Sequence, residues 1–239
     1  MSAISVIKEL KTLANPKRVQ ALQYFYRTAP GEYGEGDIFI GVSVPKTRSV
    51  AALHKELSIP EIEKLLASPI HEIRLCGLII LVNQYKRLKS SGHKKKLFNF
   101  YIAQLKLKRV NSWDLIDVSA PTFGSFLIEV ENPMALLTKL AKSKSLWERR
   151  ASILLTFAFV RDGRMEETVL ISKLLIKDEH DLIHKAVGWM LRELGKRDPI
   201  LLRKFLKTHS SQMPRTMLRY AIEKLPEKER KYWLLSSKH

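Results

Sequence analysis

Cysteine is nearly missing from this chain. Cys76 stands alone among 239 residues, so no internal disulfide is available. It sits in the apolar run RLCGLIIL, where a buried inert thiol is expected rather than a nucleophile. Long hydrophobic runs are missing too. The most apolar stretch, Leu75 to Val82, falls well short of the roughly 20 residues that span a bilayer. The first residues, MSAISVIKELK, carry an acid early and no cleavable apolar core, which excludes the signal-peptide pattern and predicts a cytoplasmic protein. No alternating strand pattern persists anywhere. Acids are scarce, at 24 against 42 Lys and Arg, giving a formal charge of +18. That excess favours a polyanionic partner, nucleic acid before an anionic membrane surface, and names no reaction.

What is present is helix after helix with Leu, Ile and Ala at core spacing. The pattern predicts helices near 3–14, 16–27, 46–57, 60–67, 69–89, 94–107, 113–117, 122–130, 133–142, 146–161, 165–176, 181–196, 199–207, 214–224 and 227–235, punctuated by Pro and Gly. The chain is therefore expected to be all-α, a single domain over 1–239. The one Gly-rich stretch, Pro30 to Pro45, lacks the preceding strand and the Gly-Lys-Ser/Thr ending of a phosphate cradle. Glu32, Glu35 and Asp37 would repel an anion there, so it reads as a structured loop.

A repeat runs through the helices. EIRLCGLIIL, ERRASILLTF, IHKAVGWMLR and MLRYAIEKL each place a cation before a small-and-apolar run: Arg74, Arg150, Lys185 and Arg219. The last three are spaced by 35 and 34 residues, and Arg74 lies 76 before Arg150. Such a period predicts stacked HEAT-like helix pairs, since the TPR consensus is not recognisable. Asp117 lies 33 residues before Arg150, in a slot the other repeats give to a cation. On a helix, Trp113 shares a face with Asp117, and Asp114 lies close to it. Trp189 follows Lys185 by four. If the slot faces a groove, two tryptophans and one acid meet among cations; the bland alternative is a solvated helix start capped by Asn or Ser.

A carboxylate in a phosphate-binding groove repels its ligand unless positive charge develops there during reaction. Breaking a glycosidic bond makes such a charge on the sugar. NSWDLIDVSAPTF, LWERRASIL and KAVGWMLRE resemble the three site motifs of the AlkD-type DNA alkylation repair glycosylases, and the loop ending in GVSVP resembles an N-terminal signature of many relatives. The resemblance covers roughly residues 5 to 225. It implies a right-handed superhelical solenoid of HEAT-like antiparallel helix pairs with a concave basic groove. The implied activity is hydrolytic release of cationic N3- and N7-alkylated purines from duplex DNA in base excision repair, without a base-flipping pocket and without a cofactor. It implies that Asp117 stabilises the sugar cation and positions water, and that Trp113 and Trp189 pack against the deoxyribose. Arg150 would bind backbone phosphate, Arg149 could share that task, and Arg192 would line the groove. Lys185 and Arg74 come from the repeat slot, and Ser43 stands where some relatives carry a duplex-contacting Gln. The tyrosine expected near the second helix aligns with Phe25, Tyr24 or Tyr26.

Three rival readings accompany these. His180 and His184, at i and i+4, lack a third metal ligand. The run Lys86 to Lys96 reads as a solvated loop or a DNA-flanking patch, and Trp147 and Trp233 as packing residues. The alternative function is a non-catalytic DNA-binding solenoid that recognises damaged or branched DNA, with a protein-binding scaffold behind it. A monomer is expected.

Overall fold

The computed structural model describes residues Met1 to Ser236. It is all-α, with fifteen α-helices and two short 3-10 turns among the described residues. The polypeptide divides into two compact units, one ending at Ser119 and the other beginning at Ala120.

The first unit holds α1 (Ala3–Thr12), α2 (Val19–Tyr26), α3 (Val44–Leu53), α4 (Ile59–Leu66), α5 (His71–Arg87), α6 (Ser91–Lys106) and the start of α7 (Trp113–Leu127). The second holds the rest of α7, then α8 (Pro133–Ala141), α9 (Leu146–Leu155), α10 (Phe157–Asp162), α11 (Glu166–Leu175), α12 (Asp181–Arg197), α13 (Pro199–His209), α14 (Arg215–Ala221) and α15 (Glu227–Ser236). Helix starts follow local chemistry. Pro45, Pro60, Pro133 and Pro199 occupy first-turn positions, where a missing N–H costs nothing. Asn132 and Asp198 accept the Ala135 and Leu201 N–H groups at 3.2 and 2.8 Å.

Each unit is built around one long helix. In the first, α5 is buried from His71 through Val82 and packs against α1, α3, α4 and α6. Its apolar residues surround the whole axis, the pattern of a helix covered on every side. Ile73, Leu78, Ile80 and Leu81 are essentially inaccessible, each worth about 1.5–3 kcal/mol against an exposed position. In the second unit α12 plays this part, packed by α9, α10, α11, α13 and α14.

The Pro30 to Pro45 stretch is a structured loop, tied to the start of α5. Ile38 makes an isolated parallel bridge with Ile70, and its carbonyl accepts the His71 N–H at 2.8 Å. The buried Glu72 carboxylate accepts the N–H groups of Ile40, Gly41 and Val42 at 3.2, 2.8 and 3.2 Å. Gly41 has φ +82°, and a Cβ there would lie 2.0 Å from the Asn15 carbonyl oxygen. Only glycine fits.

Two boundaries differ from the sequence reading. Residues 113–127 form one helix with Pro121 inside it, where two had been expected. Pro121 brings no N–H to the Asp117 carbonyl, a weakness that tertiary packing outweighs. Residues 146–162 form two helices that meet at Thr156. The Thr156 hydroxyl donates to the Ile153 carbonyl at 2.7 Å and lies 2.9 Å from the Thr168 hydroxyl, inside the core.

Candidate nucleic-acid interface and active site

Trp113 opens α7, and its indole is half-buried. The Tyr26 ring, at the end of α2, stacks on it at 5.4 Å and 13°. Phe25 meets the same indole edge-on at 5.8 Å and 75°. Among the three aromatics that sequence left open, Tyr26 is the buried one; Tyr24 points into solvent. One turn after Trp113, Asp117 is also half-buried. Beneath it the Tyr101 phenol is raised in pKa, by burial first and also by the Asp117 charge, against the opposing pull of its Ser119 hydrogen bond. The phenol therefore stays neutral beside that carboxylate.

Asp114 turns inward. Its Oδ2 accepts from the Tyr26 hydroxyl at 3.1 Å and from His71 Nε2 at 2.8 Å. His71 Nδ1 donates to Asp37 Oδ2 at 2.9 Å, and Arg74 donates to the other Asp37 oxygen and to the Ser68 carbonyl. Two buried acids thus face two buried bases. Burial alone would lower the His71 pKa, yet Asp114 and Asp37 outweigh it and raise it to about 9. Burial would likewise raise Asp114, but His71, Ser112 and Tyr26 hold it below the usual carboxylate range. Burial, then Asp114, pushes the Tyr26 phenol up, so it remains a donor.

The second unit carries the other candidates. The half-buried Trp189 of α12 lies 6.1 Å from the Phe157 ring, over which the Arg161 guanidinium sits at 4.3 Å. Arg149 donates to Asp178 at 2.6 Å and to the carbonyls of Ser143 and Lys144. Lys185 pairs with Asp181 at 2.7 Å, and Arg192 with Glu193 and Glu223. Arg150 is 4% exposed and donates to the Leu182 carbonyl. In the first unit, Ser43 stands at the start of α3, where its carbonyl accepts the Thr47 N–H at 2.9 Å.

The repeat slot is real as a register. Asp117, Arg150, Lys185 and Arg219 are each the fifth residue of a helix, and Arg74 is the fourth of α5. It is not a shared environment. Arg74 is 4% exposed, with its charge neutralised by Asp37, so its place among the groove cations is withdrawn. A buried guanidinium needs its carboxylate and is not offered to phosphate.

His180 and His184 serve α12 instead. His180 Nδ1 accepts the Leu182 N–H at 3.1 Å, and His184 donates to the Asp178 carbonyl. No cluster of three metal-ligating side chains occurs among the described residues, and no described helix is long and apolar enough to cross a membrane. The Lys86 to Lys96 run covers the end of α5, a short link and the start of α6.

Sequence reasoning left Tyr26 as one of three alternatives and missed the parts played by His71 and Phe157. For His71 the signal was a polar pair, His71-Glu72, heading the most apolar helix; a buried polar residue there needs partners.

Fold and side chains together define an all-helical protein of strongly basic charge, with an aromatic-flanked carboxylate near the start of α7. The model of the DNA alkylation repair enzyme family matches residues 6–225, and the chain belongs to that family. It is similar in fold to a solved structure, a predicted DNA alkylation repair enzyme from Enterococcus faecalis, with a TM-score of 0.70 at 15% identity. That alignment covers 90% of this chain and 97% of the other. No curated protein matches it.

Proposed function

We propose that this protein is a monofunctional DNA glycosylase that hydrolyses the N-glycosidic bond of N3- and N7-alkylated purines in duplex DNA. The observation that carries the reading is Asp117: a half-buried carboxylate one turn from a stacked indole, in a chain of charge +18. An alkylated purine already bears positive charge and leaves with the bonding electrons, so little acid assistance is required. The C1′–N bond breaks, and the charge moves to the sugar. A carboxylate already in place stabilises that cation without reorganising. Water adds at C1′ and gives its proton to the carboxylate or to solvent. Trp113 presents its apolar face to the deoxyribose.

DNA phosphates provide the remaining attraction. Arg149, Lys185 and Arg192 are partly exposed, at 21, 41 and 19% of their side chains. Each exchanges a carboxylate partner for phosphate on binding, and the solvated lysines supply salt-dependent affinity. Arg150 is as buried as Arg74 and donates to the Leu182 carbonyl, so the phosphate contact expected of it is not counted among these.

The test is incubation with duplex DNA carrying N7-methylguanine. Free base should appear, and Asp117→Asn should slow its release by roughly 10²–10³-fold while DNA binding persists. Full activity in that variant removes Asp117 from the mechanism. Equal affinity for damaged and plain duplex, with no base released by the wild type, leaves a non-catalytic DNA-binding solenoid.

A further inference from the structure

The geometry points to Tyr26, Asp114 and His71 as positioning residues for Trp113 and Asp117: imidazole grips carboxylate, carboxylate grips phenol, and the phenol ring carries the indole. This rests on the glycosylase reading for its reaction, and on the structure alone for its geometry.

Trp113 is the first residue of α7, where backbone N–H groups have no intrahelical partner and the helix does not hold itself. Tyr26 meets this turn at two points. Its ring faces the Trp113 indole at 5.4 Å, and its hydroxyl donates to Asp114, the next residue, at 3.1 Å. Two contacts from one side chain to consecutive residues fix the rotation of α7 about its axis. Asp117, one turn further on, inherits that rotation. The clamp therefore aims both residues assigned to the sugar.

Tyr26 is itself held by two further rings. Phe39 packs on its ring at 4.9 Å, and the His71 ring lies at 4.8 Å. His71 reaches Asp114 with one nitrogen and Asp37 with the other, and Arg74 completes the set. Asp37 and Asp114 balance His71 and Arg74, so Asp114 stays ionised while 13% exposed and accepts the phenol strongly. Apolar packing would bury the same surface without fixing one orientation. A hydrogen-bonded chain selects a single geometry, which is what a catalytic constellation requires.

The experiment uses the whole chain labelled with 5-fluorotryptophan. Fluorine NMR reads each indole, with the Trp113 resonance assigned from Trp113→Phe. The variants are Tyr26→Phe, which keeps the ring and removes the hydroxyl, and His71→Gln. Tyr26→Phe should shift or broaden the Trp113 resonance and leave the other three in place. It should also slow single-turnover release of N7-methylguanine by about tenfold or more, because small misplacements of reacting groups cost that much. DNA affinity should stay near the wild type, and the variant, melting a few degrees lower for its lost hydrogen bond, should be fully folded at the assay temperature, the split a merely structural role would not give. An unmoved Trp113 resonance overturns the clamp, whatever the activity. So does a loss of rate that only follows a loss of folded protein. If the wild type releases no base, the glycosylase reading fails separately, and the Trp113 resonance still decides the clamp. His71→Gln should reproduce the shift where it folds; Tyr26→Phe decides the matter where it does not.

Discussion

Raising the pH from 6 to 10 should remove a defined share of this protein's stability, through one side chain. His71 has an ordinary pKa of 6.5 and a folded value of about 9, set against burial by Asp114 and Asp37. A folded pKa above the unfolded one means stability that is complete below about 6.5 and lost as pH climbs through about 9. That gap corresponds to roughly 3 kcal/mol, a large fraction of the 5–15 kcal/mol typical of folded domains. The groups around the imidazole are Asp37 from the loop, Asp114 from α7, Tyr26 from α2, and Arg74 and Glu72 from α5 itself. The raised Tyr26 phenol keeps its proton throughout this window. Urea unfolding of the wild type and of His71→Gln, at steps from pH 6 to 10, isolates the effect because surface lysines titrate alike in both. The stability difference should narrow by about 3 kcal/mol across the range. Where the variant folds poorly, NMR titration of the His71 ring in the wild type gives the midpoint directly. A difference constant with pH, or a midpoint near 6.5, would refute the charged bridge.

Two further outcomes follow from packing and polar satisfaction. Gly124→Ala ought to favour α7 by about 1 kcal/mol on helix propensity alone. Its Cβ would lie 2.0 Å from the Leu155 carbonyl oxygen, which is backbone and cannot rotate away, so a net loss of about 1–3 kcal/mol should be measured by thermal unfolding. An unchanged or raised melting temperature would mean that α7 and α9 are not packed this closely. Glu72→Ala leaves the N–H groups of Ile40, Gly41 and Val42 without their carboxylate. It should cost about 2–5 kcal/mol and speed amide hydrogen exchange at 40–42; unchanged protection there would show that other acceptors hold the loop.

The helices were legible because each needs only its own apolar spacing, its cap and its Pro or Gly stop. So was the register of the repeat slot, since a helix start and a small-apolar run are local features. Where local signals misled, a distant contact was responsible. Pro121 looked like a break between two helices, yet α7 continues through it because both flanking turns are buried. The 146–162 stretch looked continuous, yet it divides at Thr156, whose hydroxyl meets that of Thr168.

The candidate site divides in the same way. Sequence singled out Trp113, Asp117 and Trp189 as candidates, because helical spacing, an out-of-place acid and family motifs are all read along the chain. It determined the family, the all-helical class and the basic charge for that reason. It did not determine which charges reach solvent. Arg150 and Lys185 occupy equivalent slots, and only packing buries the first on the Leu182 carbonyl and leaves the second half-exposed beside Asp181. Nor did it join Tyr26, Asp37, His71 and Asp114, which lie as far as 88 residues apart. Their union depends on α2, α5 and α7 meeting in space, and low-dielectric burial then sets their protonation, a property that no residue has on its own.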